Sequence, residues 1–308
     1  MRISRRRMLE SMVASAAVAS RGPALWSASD ARIVRRGRIQ QSVCQWCYPH
    51  IPLNDLTAYA AHIGLKGVDL LNPDQYGIPR RYGLICTMGY AGGGEIARGL
   101  NRLENHAIIE SGFRKNIPLA AKAGVPNVIT FSGNRAGMSD EQGAKNTVIG
   151  LNRVKKIAEE HGVTICMELL NSKVNHKDYM CDHTAWGVNV MQQVDSPNVK
   201  LLYDIYHMQI MEGDLIDTIR QNIQWIGHFH TGGVPGRHEL NDQQEVQWDG
   251  VMRGIVATNF HGYVAHEFVP AGDPYAGLLQ AANLCDVWRK ASGIFSHSMQ
   301  SQMLVHGL

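Results

Sequence analysis

Short apolar runs rich in β-branched residues alternate along the chain with longer segments that have helical periodicity. The runs predict eight strands, at residues 42–46, 67–71, 83–88, 127–131, 163–170, 199–206, 223–230 and 262–268. Apolar positions three or four residues apart predict helices at residues 53–63, 106–123, 140–161, 183–194, 214–221, 246–258 and 275–291. Gly64, Gly124 and Gly162 directly follow three of these segments, as expected where a residue with positive φ ends a helix. The connection at residues 73–82 has room for little more than one turn.

This alternation predicts an α/β fold with a parallel sheet. Eight strands and seven or eight helices fit a single-domain (β/α)8 TIM barrel, which typically has about 250 residues. No Gly-x-Gly-x-x-Gly follows the first strand, which disfavours an open dinucleotide-binding sheet. We therefore predict a barrel over residues 36–295, preceded by an N-terminal signal segment and followed by a C-terminal tail at residues 296–308.

Charge is distributed unevenly along the chain. Residues 1–40 contain nine arginines and two acidic residues, an excess of +7, so the remainder carries −4 of the overall net charge of +3. A nucleic-acid-binding protein normally carries its basic surface on the folded part, so we expect no nucleic-acid partner. No stretch approaches the ~20 apolar residues that span a bilayer, so we expect no stable membrane insertion.

The basic N-terminal segment contains the pair Arg5-Arg6, followed by a run of small, weakly apolar residues at positions 12–20. This arrangement resembles a twin-arginine (Tat) export signal, and the alternative is a disordered basic tail. We expect residues 1–35 to be a twin-arginine export signal and linker, and the mature protein to be periplasmic or otherwise extracytoplasmic. Proteins exported by this route fold first, so a metal could be bound before export.

The six cysteines are too few for a disulfide scaffold in a chain of this size. Cys44 and Cys47 have the spacing of a redox motif or half a zinc site, but no second pair follows them. This motif also lies at the end of a strand and does not open a helix, so the sequence disfavours redox chemistry there.

Four consecutive predicted strands end in residues that can bind a metal. They are Glu168, Asp204, His230 and Glu267, on the fifth to eighth strands. The carboxyl ends of barrel strands meet at the face that carries the chemistry. Burying one unpaired carboxylate costs several kcal/mol, so three require a cation unless each lies in solvent or in a salt bridge. Three carboxylates and one imidazole suit Mn²⁺, Mg²⁺ or Co²⁺. His228 shares a strand face with His230, which leaves the choice of histidine open.

These residues lie in motifs that resemble the xylose isomerase-like superfamily of sugar isomerases and epimerases, and most closely its hydroxypyruvate isomerase group. The resemblance covers roughly residues 40–290, and its most specific parts are an Asp-x-x-His and an Arg-His-Glu element. The motifs are Met167-Glu-Leu-Leu-Asn171, Asp204-Ile-Tyr-His207, His228-Phe-His230, Arg237-His-Glu239 and His266-Glu-Phe-Val-Pro270. The resemblance implies one divalent metal ion held by Glu168, Asp204, His230 and Glu267, with His207 and Arg237 binding the substrate.

The chain also departs from this group. Hydroxypyruvate isomerases more often have Gln at the position of His230, whereas ketose epimerases have His. The short second connection and the export signal are further departures. The histidine strengthens the predicted metal site but leaves the substrate open.

The resemblance implies isomerisation of a small carbohydrate or hydroxy-keto acid through a cis-enediolate. Glu168 and Glu267 would face the substrate from opposite sides, where either could act as the base. A bound metal ion would stabilise the developing oxyanion. Four alternatives remain: a ketose or keto-sugar 3-epimerase, a polyol dehydratase, an endonuclease-IV-like phosphodiesterase with several zinc ions, and a non-catalytic exported carbohydrate-binding barrel. A homo-oligomer is compatible with each of them.

Overall fold

Eight parallel strands pair in chain order and close into a barrel. The computed structural model describes residue 34 and residues 36–287. The strands, β1 to β8, are Gln40–Cys44, Gly67–Leu71, Ile85–Gly93, Asn127–Thr130, Thr164–Leu169, Val199–Asp204, Ile226–Thr231 and Tyr263–His266. β1 also pairs with β8, which closes the sheet. The predicted signal segment and the tail at residues 296–308 lie outside the described residues.

Helices follow every strand except β2. They are α1 to α8, at Leu53–Ile63, His106–Ala123, Asp140–His161, Thr184–Val194, Ile205–Met211, Leu215–Asn222, Trp248–Ala257 and Pro274–Cys285. Single turns of 3-10 helix occur at Gln45–Cys47, Pro79–Tyr82, Leu103–Asn105 and Ile223–Trp225. The predicted (β/α)8 barrel is therefore confirmed over the part of the chain that is described. None of its helices is long and apolar enough to cross a membrane.

Local sequence explains where three of the helices end. α1, α2 and α3 match their predicted bounds, and each is followed by a glycine with φ between 62° and 96°. Ser139 begins α3, because its side chain accepts a hydrogen bond from the backbone N–H of Gln142. Glycine adopts this left-handed conformation without the steric penalty of a Cβ, so the helix ends there.

Most other predicted boundaries are shifted by a few residues, and two of the differences have a clear physical cause. The sixth strand was predicted to continue to residue 206, but it ends at Asp204, whose side chain accepts a hydrogen bond from the backbone N–H of His207. This contact caps α5, a helix that the sequence analysis did not predict. The last helix was predicted to continue beyond residue 285, but the Asp286 carboxylate binds the backbone N–H groups of Arg36 and Gly37 instead. These bonds connect the two ends of the described chain.

An aromatic side chain takes the place of a helix between β2 and β3. Tyr76 is almost fully buried, and its hydroxyl donates a hydrogen bond to the carbonyl of Tyr90. Its ring packs against β3 at Gly89, where a Cβ would lie only 2.5 Å from a ring carbon. The pairing of β2 with β3 also has two register shifts. As predicted, this connection contains little more than one helical turn, at Pro79–Tyr82.

Candidate active site

The four predicted metal ligands meet inside the carboxyl end of the barrel. Glu168 lies in β5, Asp204 ends β6, His230 lies in β7, and Glu267 directly follows β8. All four are buried, and one candidate ligand atom from each lies within 4.8 Å of the others. The fold therefore brings together the four side chains that the strand ends indicated.

The nitrogen of His230 that faces this cluster is well placed for a shared cation. Its Nδ1 lies 2.8 Å from Glu267 Oε2 and 3.4 Å from Glu168 Oε1. This buried nitrogen nevertheless has no hydrogen bond of acceptable geometry. Nδ1 and the two carboxylate oxygens are thus close together without an N–H that points from one to the other. This arrangement is expected when the lone pairs of the imidazole and of the carboxylates face the same point. Together with the oxygen-rich donor set, this geometry fits a divalent ion such as Mn²⁺ or Mg²⁺.

Arg237 neutralises part of the carboxylate charge. Its Nη2 lies 3.0 Å from Asp204 Oδ2 and forms an ion pair with Glu267 Oε2. Its guanidinium carbon lies 5.4 Å from the ring centre of Trp46 and 5.3 Å from that of Tyr206. These cation–π contacts fix the position of the charge. Arg237 has a φ of 60°, a conformation that is rare for a residue with a side chain and recurs at functional sites.

His207 lies beside Arg237, so the two predicted substrate residues are neighbours. The fully buried His207 places Nε2 3.1 Å from Arg237 Nη1 and 3.6 Å from Asp204 Oδ2. Its ring centre lies 5.3 Å from that of His176, and its Nδ1 faces Asn171. The structure thus joins these two residues to the carboxylate cluster. Their roles toward a substrate stay predictions.

Trp46 was not singled out as a site residue from the sequence. Its indole Nε1 donates a 2.6 Å hydrogen bond to Glu267 Oε1, and the residue is 39% exposed. It lies in the 3-10 turn Gln45–Cys47 that directly follows β1, so it is at the same end of the barrel as the other site residues. Its position at the end of the first predicted strand was the feature of the sequence that could have identified it as a site residue. The neighbouring Cys44 and Cys47 are buried free cysteines.

Asp69 was also missed, although it is a buried charge in the middle of β2. Its carboxylate accepts a 2.6 Å hydrogen bond from His228 Nε2, a 2.7 Å bond from Ser42 Oγ, and a further bond from Thr87. Its Oδ2 also lies 3.4 Å from His230 Nε2. Because Asp69 binds His228, it is His230 that faces the carboxylate cluster. The signal in the sequence was a single acidic residue within an otherwise apolar strand.

Burial and neighbouring charges give the three carboxyl groups of the cluster different pKa values. Burial, with the charge of Glu267, raises the pKa of Glu168, and burial raises the pKa of Asp204 to about 8. Burial also acts to raise the pKa of Glu267, but the charges of Arg237 and His230 outweigh it and hold that pKa well below its usual value. The pKa values of the two glutamates are therefore shifted in opposite directions.

The pKa values of the two histidines of the site, His230 and His207, are shifted in opposite directions. Burial would lower the pKa of His230, but the charge of Glu267 outweighs it and raises the pKa well above the usual value. Burial and the charge of Arg237 hold the pKa of His207 well below its usual value. His207 is consequently neutral across the physiological pH range.

Two relatives of this chain are named as isomerases. A Danio rerio protein provisionally named a hydroxypyruvate isomerase is 29% identical over 146 residues, covering 47% of this chain and 52% of that protein. The 2-oxo-tetronate isomerase of Pectobacterium atrosepticum is 26% identical over 246 residues, covering 75% of this chain and 92% of the relative. This chain thus spans only about half the length of the first of these relatives, but nearly all of the second.

A solved structure supports the fold. The apo form of a 3-keto-D-glucoside 4-epimerase from E. coli superposes with a TM-score of 0.65 at 18% identity, covering 79% of this chain and 97% of that one. The family model described as xylose isomerase-like TIM barrel matches residues 59–287, which include all six predicted site residues. This chain therefore belongs to the xylose isomerase-like TIM barrel family.

Proposed function

We propose that this protein is a metal-dependent isomerase of a small α-hydroxycarbonyl compound and that it acts through an enediolate. The observation that carries the proposal is the convergence of Glu168, Asp204, His230 and Glu267 within 4.8 Å. Hydroxypyruvate and 2-oxo-tetronate, which appear in the names of the two relatives, each carry a hydroxyl group next to a carbonyl group. Both compounds also carry a carboxylate, which the cationic Arg237 beside the cluster can bind.

Glu168, Asp204, His230 and Glu267 would hold the metal ion. When bound, a divalent cation stabilises negative charge that develops on substrate oxygens. The protein groups supply the rest of the chemistry. One glutamate removes the proton from the carbon next to the carbonyl, and a carboxyl group returns it to the neighbouring carbon. His207 and Arg237 orient the substrate oxygens, and the planar guanidinium suits a carboxylate or a diol.

A second candidate is epimerisation at a carbon next to the ketone of a sugar. It is favoured by the position of Glu168 and Glu267 on strands separated by β6 and β7. Carboxylates on separated strands can approach a substrate from two sides, which inversion of one carbon requires. A polyol dehydratase would use the same groups to remove water. The products distinguish these reactions, since only isomerisation moves the carbonyl group to the neighbouring carbon, which gives an aldehyde from hydroxypyruvate and a second ketone from 2-oxo-tetronate.

A nuclease with several metal ions is less well supported. It needs further free ligands beside the first site, and the neighbouring candidate set is Asp69, His228 and His230. Both oxygens of Asp69 already accept hydrogen bonds, from Ser42, Thr87 and His228. The charge of −4 outside residues 1–40 also disfavours binding to DNA.

The decisive experiment is proton exchange at the substrate carbon. The protein with Mn²⁺ is incubated in D₂O with hydroxypyruvate, short 2-keto sugar acids and ketoses, and loss of the C–H signal is followed by NMR. We expect exchange with the parent protein and a decrease of about 10²- to 10⁴-fold with Glu168→Gln or Glu267→Gln. The matched control is Glu141→Gln, at an exposed position of α3. Binding without any exchange would indicate the non-catalytic carbohydrate-binding barrel instead.

A further inference from the structure

Asn171 determines which nitrogen of His207 carries the proton. The backbone N–H of Asn171 lies 3.2 Å from His207 Nδ1, and its side-chain Nδ2 lies 2.6 Å from the same atom. Both groups are hydrogen-bond donors. Because two donors face Nδ1, this nitrogen accepts hydrogen bonds and carries no proton.

The orientation of the Asn171 amide is fixed by its other contacts. Its Oδ1 accepts hydrogen bonds from the backbone N–H groups of Val174, at 3.0 Å, and of Asn175, at 2.9 Å. Its Nδ2 also donates a 2.8 Å bond to Asn175 Oδ1. If the amide were turned by 180°, its NH₂ group would face the backbone N–H groups of Val174 and Asn175. Its oxygen would then face Asn175 Oδ1, which is also an acceptor. The network therefore excludes the alternative assignment of the amide atoms.

Two donors face Nδ1 and only one, Nη1 of Arg237, faces Nε2, so the geometry favours Nε2 as the site of the proton in a neutral His207. That nitrogen lies 3.1 Å from Nη1 of Arg237, which is itself a donor and cannot accept a hydrogen bond. The carboxylate oxygen of Asp204 is 3.6 Å from Nε2, which is too far for a hydrogen bond. Two donors from neighbouring side chains therefore lie side by side at the edge of the carboxylate cluster. An oxygen that accepts from both would satisfy them together.

We infer that Asn171 is a positioning residue that holds His207 in the Nε2–H form, so that His207 and Arg237 together bind one carbonyl or carboxylate oxygen of the substrate. This inference rests on the proposed function for the identity of the ligand, but the tautomer itself does not depend on it. It extends the site to the loop after β5 and gives the end of the Glu-Leu-Leu-Asn motif a chemical role.

The first test needs no variant. Long-range ¹H–¹⁵N NMR of the full chain distinguishes a protonated from an unprotonated ring nitrogen, and His207→Gln assigns the signals. We expect a protonated Nε2 and an unprotonated Nδ1 at neutral pH. Protonation of Nδ1, alone or with Nε2, would overturn the inference.

The second test is Asn171→Asp, which keeps the size of the side chain and presents an acceptor to Nδ1. The backbone N–H of residue 171 still faces Nδ1 at 3.2 Å, but the carboxylate replaces the closer donor, which lay at 2.6 Å. The proton of His207 should therefore move to Nδ1, and Nε2 should accept a hydrogen bond from Arg237. The donor pair is thereby lost, and KM should rise about 10- to 100-fold with a smaller change in kcat. Affinity for Mn²⁺ should stay within a few-fold of the parent, because the metal ligands are unchanged.

Asn189→Asp is the matched control, since it makes the same substitution at an exposed position of α4, outside the network around Asn171. It should change neither the tautomer nor KM by more than a few-fold. Equal KM values for Asn171→Asp and the parent would overturn the positioning role. Absence of substrate proton exchange in the parent would contradict the proposed function and leave the NMR result standing, so the two failures are distinguishable.

Discussion

His228 donates a 2.6 Å hydrogen bond from Nε2 to Asp69 Oδ2, and neither residue is exposed to solvent. The interactions of Asp69 with His228 and His230 outweigh its burial, so the pKa of Asp69 lies below its usual value. Asp69 is therefore an ionised acceptor deep in the barrel. Its role is to hold the histidines of β7, in the way that outer carboxylates orient the ligands of metal sites.

Replacing Asp69 by Asn should destabilise the protein. The amide nitrogen would face the N–H of His228 or the hydroxyls of Ser42 and Thr87, leaving a buried donor without an acceptor. We expect a loss of about 1–3 kcal/mol in the free energy of unfolding, measured by urea denaturation. Ser42→Ala, which removes one donor and leaves the carboxylate, should cost less. An unchanged midpoint for Asp69→Asn would contradict this account.

Glu168→Gln should weaken metal binding. The amide keeps one neutral oxygen but removes the negative charge that attracts the cation. The affinity for Mn²⁺, measured by calorimetry, should fall by more than the 10- to 100-fold that loss of an outer partner typically costs. Glu141→Gln is the control. If Glu168→Gln binds Mn²⁺ as tightly as the parent, Glu168 is not a ligand.

Metal uptake should release protons and weaken as the pH falls. Burial raises the pKa of Asp204 to about 8, so this carboxyl group binds a proton near neutral pH, and burial also raises the pKa of Glu168. A cation binds only the deprotonated carboxylates, so affinity for Mn²⁺ should increase as the pH is raised from about 6 to about 9. Calorimetry in two buffers with different heats of protonation counts the protons released. A constant affinity across this range would contradict the protonation states described.

Trp46→Phe should slow proton exchange without removing the aromatic contact to Arg237. The phenyl ring retains a face for the guanidinium but cannot donate to Glu267 Oε1, so the carboxylate loses the hydrogen bond that holds its orientation. A hydrogen bond to a charged group contributes about 1.5–3 kcal/mol, which corresponds to roughly a 10- to 100-fold slower exchange rate. Trp186→Phe, which removes an exposed indole donor on α4, serves as the control. Parental exchange in Trp46→Phe would show that this hydrogen bond does not affect the reaction.

Export through the twin-arginine pathway is a further proposal, motivated by Arg5-Arg6 and the charge excess of the first 40 residues. Changing both arginines to lysine keeps the charge but removes the paired guanidinium groups. A reporter protein fused to residues 1–40 should then stay in the cytoplasm, whereas the unchanged segment should export it. Full export of the double variant would reject the twin-arginine proposal.

The strand pattern predicted much of this molecule because barrel strands are continuous apolar runs with polar ends. Glu168, Asp204, His230 and Glu267 were visible for that reason, since each closes such a run. The glycines that follow α1, α2 and α3 predicted the ends of these helices equally well, because a local backbone conformation ends each helix. These features depend on neighbours in the chain.

Contacts between distant residues could not be found in the same way. Asp69 and His228 are 159 residues apart, and Trp46 and Glu267 are 221 residues apart. Only the closed barrel places them side by side. The extra helix α5 was missed because the apolar residues after Asp204 continue the strand pattern, while its cap is a side-chain hydrogen bond. The tautomer of His207 likewise depends on a loop whose conformation the pattern does not predict.

Tyr76 makes the wall between β2 and β3 different in its dynamics from the rest of the barrel. Elsewhere a helix of seven or more residues follows the strand, whereas one 3-10 turn follows β2 and the ring and hydroxyl of Tyr76 cover the middle of β3; α2 packs only on the end of β3, where Asn116 donates a hydrogen bond to the carbonyl of Ala91. Segments with fewer packed contacts open with a lower free energy. The amides of β2 and of the first residues of β3 should therefore exchange with solvent earlier than those of β5 and β6. Because Asp69 lies in β2, local opening there would release the support beneath His230.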